Sequence, residues 1–245
     1  MHGFKAGAVL TRTFLLAAAM VPAMLAAAAE VTVVDGGGRS VQVTDASRIL
    51  SIGGDVTEIL YALGAGDRVV GVDTTSQFPP EALKEKKSVG YMRALSSEGV
   101  ISVGATVILA SEGAGQPEVV KTLKASSMPY IEVSDKSSAE AIVGKVRLIA
   151  KVVGAEAEGE KLAQKVMGDF KVLADWRTKV GRPVRALFVL AVQNGRVMVG
   201  GQNTSADAIL NLAGATNVAT DVNGFRPLPD EAIVALAPDV IVAMR

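Results

Sequence analysis

Tyr91 and Arg93 are the residues whose types and spacing point most directly to a ligand site. They lie in the stretch VGYMRAL (89–95), between the end of one strand pattern and the start of a helix pattern. In open α/β sheets, ligands bind outside the carboxyl ends of the strands, so this loop is predicted to border a binding cleft. The alternative is an ordinary surface loop in which Arg93 pairs with a nearby carboxylate.

The chain lacks the residue types on which most hydrolases and thiol enzymes depend. It contains no cysteine, and its single histidine is His2. A disulfide framework, a thiolate zinc site and Ser-His-Asp or Cys-His catalysis are therefore excluded beyond the amino-terminal segment. A secreted α/β enzyme using acid–base pairs such as Asp55 with Glu58 or Asp73 is the least favoured alternative, and we predict that the protein is not an enzyme.

The charge balance gives no reason to expect a nucleic-acid partner. Lysine and arginine number 25, as do aspartate and glutamate, so the formal net charge is zero. Binding to nucleic acid or to an anionic membrane surface needs an excess of positive charge, which this composition does not provide.

Residues 1–29 have the pattern of a secretory signal peptide. Lys5 and Arg12 give a positive start, an apolar run covers residues 14–25, and four alanines precede Glu30. The run is shorter than the ~20 residues that a membrane span needs. We therefore expect an exported protein, and because cysteine is absent we expect no lipid anchor.

The remaining chain alternates strand and helix patterns around one long helix. Residues 30–46 have the pattern of a leader hairpin, and residues 47–154 have repeated strand–helix units. Residues 155–180 form a helical pattern, after which the alternation restarts through residues 181–245. Such alternation predicts an α/β fold with parallel sheets, divided into two halves by the helix.

The two halves contain similar segments in the same order. EGVISVGATVILA begins at Glu98 and EAIVALAPDVIVA begins at Glu231, and each runs from a short helix into an apolar strand. Chance similarity between strand–helix units is the alternative, but a second matched pair, beginning at Gly53 and Gly200, favours two homologous lobes. The first lobe has further elements after this strand, so we expect the second lobe to be truncated.

The stretches SIGGDVTEILYALGAGDRVVGVDTTSQFP (51–79) and VGYMRALSSEGVIS (89–102) resemble the haem-specific periplasmic binding proteins of bacterial haem ABC importers. The likeness extends from about Arg48 to Arg245. It implies two Rossmann-like lobes joined by a rigid helix, with haem as the transported ligand in the cleft between them. It also implies an ABC permease and its ATPase at the inner membrane as partners of a monomeric carrier.

The same resemblance assigns roles to individual residues. It makes Tyr91 the axial ligand of ferric haem, a role for which a phenolate is suited as a hard anionic donor. Arg93 would stabilise that phenolate by its charge. Arg226 and Phe225 would contact the haem propionates and the porphyrin face, respectively.

Glu98 and Glu231 are the matched acids of the repeat. The resemblance implies that each forms a salt bridge to arginines of the permease. Each acid is also favoured simply by its place in the first turn of a helix, and both explanations can hold together. A ferric-siderophore or cobalamin carrier of the same class is the alternative to a haem carrier, and Tyr91 would then have no special role.

Overall fold

The computed structural model describes residues 30–244, so the predicted signal peptide (1–29) lies outside the described residues. The strands are β1 (Val31–Val34), β2 (Ser40–Val43), β3 (Ile49–Ile52), β4 (Val69–Val72), β5 (Lys87–Ser88), β6 (Val107–Ser111), β7 (Tyr130–Val133), β8 (Arg185–Gln193), β9 (Arg196–Gly200), β10 (Thr216–Asn217), β11 (Phe225–Leu228) and β12 (Val240–Ala243). The helices are α1 (Gly54–Ala62), α2 (Pro80–Glu85), α3 (Ser97–Ser102), α4 (Pro117–Lys124), α5 (Ala139–Val153), α6 (Glu156–Arg177), α7 (Ser205–Leu212) and α8 (Asp230–Leu236).

A five-stranded parallel sheet forms the centre of the first lobe. Its strand order is β5-β4-β3-β6-β7, and every neighbouring pair is parallel. Every residue of β3 and β6 is buried, as expected for strands covered by helices on both faces. One face packs against α1 and α5, and the other packs against α3 and α4.

The hairpin of β1 and β2 packs against the edge of this sheet. Its turn binds β7, because the Gly36 N–H donates to the Glu132 carbonyl (2.7 Å) and Arg39 Nη2 donates to the Tyr130 carbonyl (2.8 Å). Arg39 also pairs with the buried carboxylate of Asp35 (2.7 Å). Val33 enters the core of the lobe, so the hairpin covers an edge strand that would otherwise be open.

A tight turn joins α5 to the long helix α6. Gly154 ends α5 with φ of 65°, a left-handed conformation that glycine adopts without strain. The two helices then pack closely, since a β-carbon at Gly159 would overlap that of Ala150. The 22 residues of α6 span about 33 Å and lead to the second lobe. None of the helices in residues 30–244 combines the length and apolar character of a membrane span.

The second lobe is α/β, as predicted, but its sheet is mixed, whereas the sequence pattern predicted parallel strands only. β8 pairs in parallel with β10 and β12, while β9 pairs antiparallel with β8 and β11. The physical reason is the turn at Asn194 and Gly195, whose φ values of 51° and 71° fold β8 back onto β9 as a hairpin.

The repeated segments form the same structure in both lobes. The segment from Glu98 forms α3 and then β6, and the segment from Glu231 belongs to α8 and then β12. β6 pairs in parallel with the first strand of its lobe, β3, and β12 pairs in parallel with β8. The sequence similarity therefore corresponds to equivalent positions in two sheets.

The close approach of α5 and α6 predicts opposite effects for two glycines of α6. We expect Gly159→Ala to lower the free energy of unfolding by about 1–2 kcal/mol, because overpacking against Ala150 outweighs the gain in helix propensity. Gly168 has open space around its α-carbon, so Gly168→Ala should raise stability by up to about 1 kcal/mol. Urea denaturation of both variants measures the difference, and equal effects would contradict the packing described.

Candidate functional site

The loops that follow all five strands of the first sheet meet at one edge. Because β3, β4, β5, β6 and β7 are parallel, their carboxyl ends point the same way. The segments that begin there are 53–54, 73–79, 89–96, 112–116 and 134–138. The loop containing Tyr91 and Arg93 is thus one of five that form the same rim.

Tyr91 lies in a turn that its neighbours hold in place. The Ala94 N–H donates to the Tyr91 carbonyl (2.8 Å), and the Gly115 N–H donates to the Met92 carbonyl (2.7 Å). Gly90, with φ of 85°, starts the turn in the left-handed region. The Tyr91 side chain is 49% exposed, so its phenol is accessible to a ligand.

The other two tyrosines belong to the interior of the first lobe. Burial, followed by the charge of Glu132, raises the pKa of Tyr130 to about 12. Burial also raises the pKa of Tyr61, whose hydroxyl has no hydrogen-bond partner in the described part of the chain. Both phenols are therefore held in the neutral form, and Tyr91 is the one tyrosine of the chain that can present an oxygen at the rim.

A cavity of about 770 Å³ lies between the lobes, within the range of small-molecule sites. Both lobes and α6 contribute residues to its lining. They are Arg93, Asp135, Lys136, Ser137, Ser138, Arg177, Asn203, Thr204, Ser205, Asp207, Ala208, Asn211, Leu212, Gly224 and Phe225. The predicted residues Arg93 and Phe225 thus reach the same space from opposite lobes, whereas Tyr91 is not part of the lining.

Two helices begin at this cavity. Ser138 caps α5 by accepting from the Ala141 N–H (3.2 Å), and Thr204 caps α7 by accepting from the Asp207 N–H (3.0 Å). The amino-terminal ends of helices carry partial positive charge and favour anionic groups. Lys136 and Arg177 add positive charges to the same lining, and Asp135 and Asp207 add negative ones. Sequence reasoning missed these residues, although Ser138 and Thr204 each had the residue type expected at a helix start.

Phe225 and Arg226 are consecutive residues of β11, so their side chains point to opposite faces of the sheet. Phe225 is half-buried and lines the cavity, while Arg226 is exposed. The structure therefore favours Phe225 over Arg226 as a residue that faces the cleft. Among the hydrogen bonds of residues 30–244, none joins the predicted partners Arg93 and Tyr91.

Glu98 and Glu231 have equivalent environments in the two lobes. Each is exposed and lies in the first turn of a short helix, α3 or α8. Each helix follows a strand that points to the carboxyl edge of its sheet, so both acids lie at the edges where the strands end. This placement leaves both carboxylates free of ion pairs within the described residues.

Two of the three acids considered for enzymatic chemistry, Asp55 and Asp73, are engaged in structural contacts, and the third, Glu58, is exposed. Asp55 accepts from the Ser111 hydroxyl (2.7 Å) and pairs with the buried amine of Lys145. Burial raises the pKa of the Asp55 carboxyl, but the hydrogen bond and charge of Lys145 outweigh it and hold the pKa below its ordinary value. Asp73 is buried among hydrogen-bond donors. Neither carboxylate is placed as half of an acid–base pair.

Comparisons with known proteins agree on one class. The profile of the periplasmic binding protein family matches residues 49–245. The solved periplasmic heme-binding protein RhuT from Roseiflexus sp. RS-1 is 35% identical with a TM-score of 0.76, covering 81% of this chain and 76% of RhuT. An uncharacterized ABC transporter substrate-binding lipoprotein, YvrC of Bacillus subtilis, is 31% identical, covering 86% of this chain and 68% of YvrC. A vitamin B12-binding protein of Vibrio parahaemolyticus is 25% identical, with coverages of 81% and 70%.

The pairing of Asp55 with Lys145 predicts a pH-dependent contribution to stability. Because the pKa of Asp55 is lowered on folding, the contribution is complete above the unfolded pKa and is lost as pH falls through the folded pKa. We expect Asp55→Asn to lower the free energy of unfolding at pH 7 by about 1–2 kcal/mol, since Lys145 loses its partner but solvent screens the exposed side of Asp55.

Denaturant unfolding between pH 3 and pH 7 measures this effect. The difference between wild type and Asp55→Asn should be constant above about pH 5 and shrink below about pH 4. Asp169→Asn is the matched control, because Asp169 pairs with Lys165 on the exposed surface of α6 and should contribute little at any pH. A difference independent of pH would contradict the ion pair.

Proposed function

The chain belongs to the periplasmic binding protein family, and we propose that it captures haem in the cleft between its lobes and delivers it to an ABC permease. The heme-binding protein RhuT, at 35% identity over 81% of this chain, supports haem as the ligand. The observation that carries the proposal is the exposed phenol of Tyr91, in the same loop as Arg93, which lines the cavity of about 770 Å³. The protein acts as a carrier, so no bond of the ligand is made or broken.

Tyr91 is the proposed ligand of the haem iron. A phenolate is an anionic oxygen donor and matches the hardness of Fe(III), and tyrosine is a known axial ligand of haem. The positive charge of the iron favours the ionised phenol. The turn that begins at Gly90 orients the Tyr91 backbone before any ligand arrives, so little conformational freedom has to be lost on binding.

The cavity lining supplies complementary groups for the rest of the haem. Phe225 offers an apolar ring to the porphyrin face. The propionates are proposed to lie near Arg93 and Lys136 and the capped end of α5, where charges and backbone N–H groups favour carboxylates. Arg226 remains a proposed contact at the cleft mouth, although its strand position turns it away from Phe225.

Delivery is proposed to use Glu98 and Glu231. Both acids are exposed, and they occupy equivalent positions on the two lobes. Two negative charges at fixed spacing can pair with arginines of a permease and set the orientation of the carrier on it. The ABC transporter substrate-binding lipoprotein YvrC, 31% identical, supports an ABC permease and its ATPase as the partners.

We also propose that the carrier works as a monomer in the periplasm. Export would depend on the segment 1–29, which has the sequence pattern of a signal peptide. YvrC is a lipoprotein, whereas none of the 245 residues here is the cysteine that a thioether-linked lipid requires. The proposed form in the periplasm is therefore free of a lipid anchor.

Cobalamin is the second candidate ligand, supported by the 25% identical vitamin B12-binding protein of Vibrio parahaemolyticus. Cobalamin binding would not need a phenolate, so the role of Tyr91 separates the two candidates. The higher identity to a heme-binding protein and the exposed phenol favour haem.

A haemin titration followed by absorbance tests the ligand. We expect wild type to give a saturable Soret shift and the spectrum of a high-spin ferric tyrosinate. Tyr91→Phe should lose that spectrum and bind about 10- to 100-fold more weakly, because the iron loses its anionic ligand. Tyr61→Phe is the matched control, since the Tyr61 hydroxyl has no partner among the described residues and its removal should leave the titration unchanged.

Two results would overturn the proposal. In the first, the folded wild-type protein gives no Soret shift but binds cobalamin or a ferric siderophore in a calorimetric titration. That compound would then replace haem as the proposed ligand. An unchanged spectrum in Tyr91→Phe would show that another group binds the iron.

Docking is tested by measuring haem uptake into vesicles that contain the partner permease and its ATPase. We expect the double variant Glu98→Ala/Glu231→Ala to bind haem normally but to support at least about tenfold less uptake, because both interfacial charge pairs are lost. Glu158→Ala on α6 removes a comparable exposed charge and should keep wild-type uptake. Normal uptake by the double variant would rule out these acids as docking residues.

A further inference from the structure

A buried carboxylate lies outside the cleft, directly after β4. Asp73 is fully buried, and each of its oxygens accepts two hydrogen bonds. Oδ1 accepts from the Gly53 N–H (2.8 Å) and the Ser76 hydroxyl (3.1 Å), and Oδ2 accepts from the Thr75 N–H (2.8 Å) and the Thr75 hydroxyl (2.7 Å). None of the ion pairs in residues 30–244 includes Asp73. Hydrogen bonds alone hold this carboxylate in the interior.

Three buried hydroxyls extend this arrangement back to β3. The Ser76 hydroxyl donates to Asp73, so it must accept from Thr57 (2.7 Å), and Thr57 must accept from Ser51 (2.7 Å). All three are fully buried, and a missing partner would be costly there. The chain of donors therefore has one direction and ends on Asp73.

The segment fixed by Asp73 contacts both neighbours of Tyr91. The Thr74 N–H donates to the carbonyl of Gly90 (2.9 Å), which belongs to the peptide bond that leads into Tyr91. The Thr75 hydroxyl, which donates to Asp73, also lies 3.8 Å from the sulfur of Met92. The turn that Asp73 organises thus donates a hydrogen bond to the residue before Tyr91 and contacts the residue after it.

We propose that Asp73 is a positioning residue for Tyr91, acting through the turn of Thr74 and Thr75 to orient the phenol toward the ligand. This role rests on the proposed haem function and adds a determinant of ligand geometry that lies outside the cleft. Groups that orient a metal ligand affect metal affinity although they never contact the metal. Asp73 has the burial and the number of hydrogen bonds that such a role requires, and the adjacent Thr74 N–H connects it to the Gly90 carbonyl.

The test compares haem binding and stability in three variants. Asp73→Asn keeps the shape of the side chain but places an amide donor against backbone or hydroxyl donors, so the turn loses acceptors. We expect the haem dissociation constant to rise by up to about tenfold, less than in Tyr91→Phe, and the tyrosinate charge-transfer band to weaken. Thr75→Val removes one donor to Asp73, the acceptor of the Gly54 N–H and the hydroxyl contact with Met92, and it should change both quantities in the same direction by less.

Thr57→Val is the matched control. It removes a buried hydroxyl of the same network but leaves all four hydrogen bonds to Asp73 and the contact with Gly90. We expect its urea midpoint to fall while its haem spectrum and affinity remain those of wild type. A variant that loses stability but keeps the wild-type haem spectrum has lost a purely structural interaction. Thr57→Val therefore shows what such a loss looks like, and Asp73→Asn is compared with it.

The outcomes separate the two proposals. A wild-type spectrum and affinity in both Asp73→Asn and Thr75→Val would overturn the positioning role while leaving haem binding intact. Equal spectral loss in Thr57→Val would overturn it as well, because general loosening of the lobe would explain the effect. If Asp73→Asn does not fold, Thr75→Val decides the question. A folded wild type that binds no haem would overturn the proposed function itself, and the positioning role with it.

Discussion

Polar groups at the carboxyl edge of a buried parallel sheet must find partners inside the protein, and the first lobe is organised by that requirement. Its central strands β3 and β6 are buried along their whole length, so water cannot satisfy the groups where the loops begin. Asp73 meets much of the need, since it joins the end of β3 at Gly53 to the turn after β4. These hydrogen bonds hold the surrounding loops in fixed positions, so a ligand site formed by the loops is preorganised.

The sequence predicted the α/β class and the two-lobed repeat because buried strands and amphipathic helices leave strong patterns. Glu98 and Glu231 start segments with the same spacing, and both segments form a helix followed by a parallel strand. The antiparallel strand β9 was missed because its apolar residues continue the pattern of β8. The sequence does contain a local signal for this hairpin, since Asn194 and Gly195 form the dipeptide most typical of tight hairpin turns.

Some residues of the candidate site could be predicted from the local sequence, whereas others are brought to it only by tertiary packing. Tyr91 and Arg93 could be assigned to the rim because a loop after a parallel strand lies at the ligand edge. Lys136 could have been assigned by the same rule, since it follows the parallel strand β7. The lining from Arg177 and Thr204 could not, because it depends on how the second lobe is placed by α6. The strand register of β11 likewise separates Phe225 from Arg226, which a motif alone presents as a pair.

The connection through α6 has a consequence for how a loaded carrier is recognised. Bending a 22-residue helix requires distorting its backbone hydrogen bonds, so the separation of the lobes is largely set before the ligand arrives. The spacing between acids on the two lobes is then nearly the same in the empty and the filled protein. A permease that recognised only this spacing could not distinguish the empty carrier from the loaded one. Under the proposed docking through these acids, empty carriers would therefore compete with filled ones for the same docking position, and the ligand itself would have to signal occupancy.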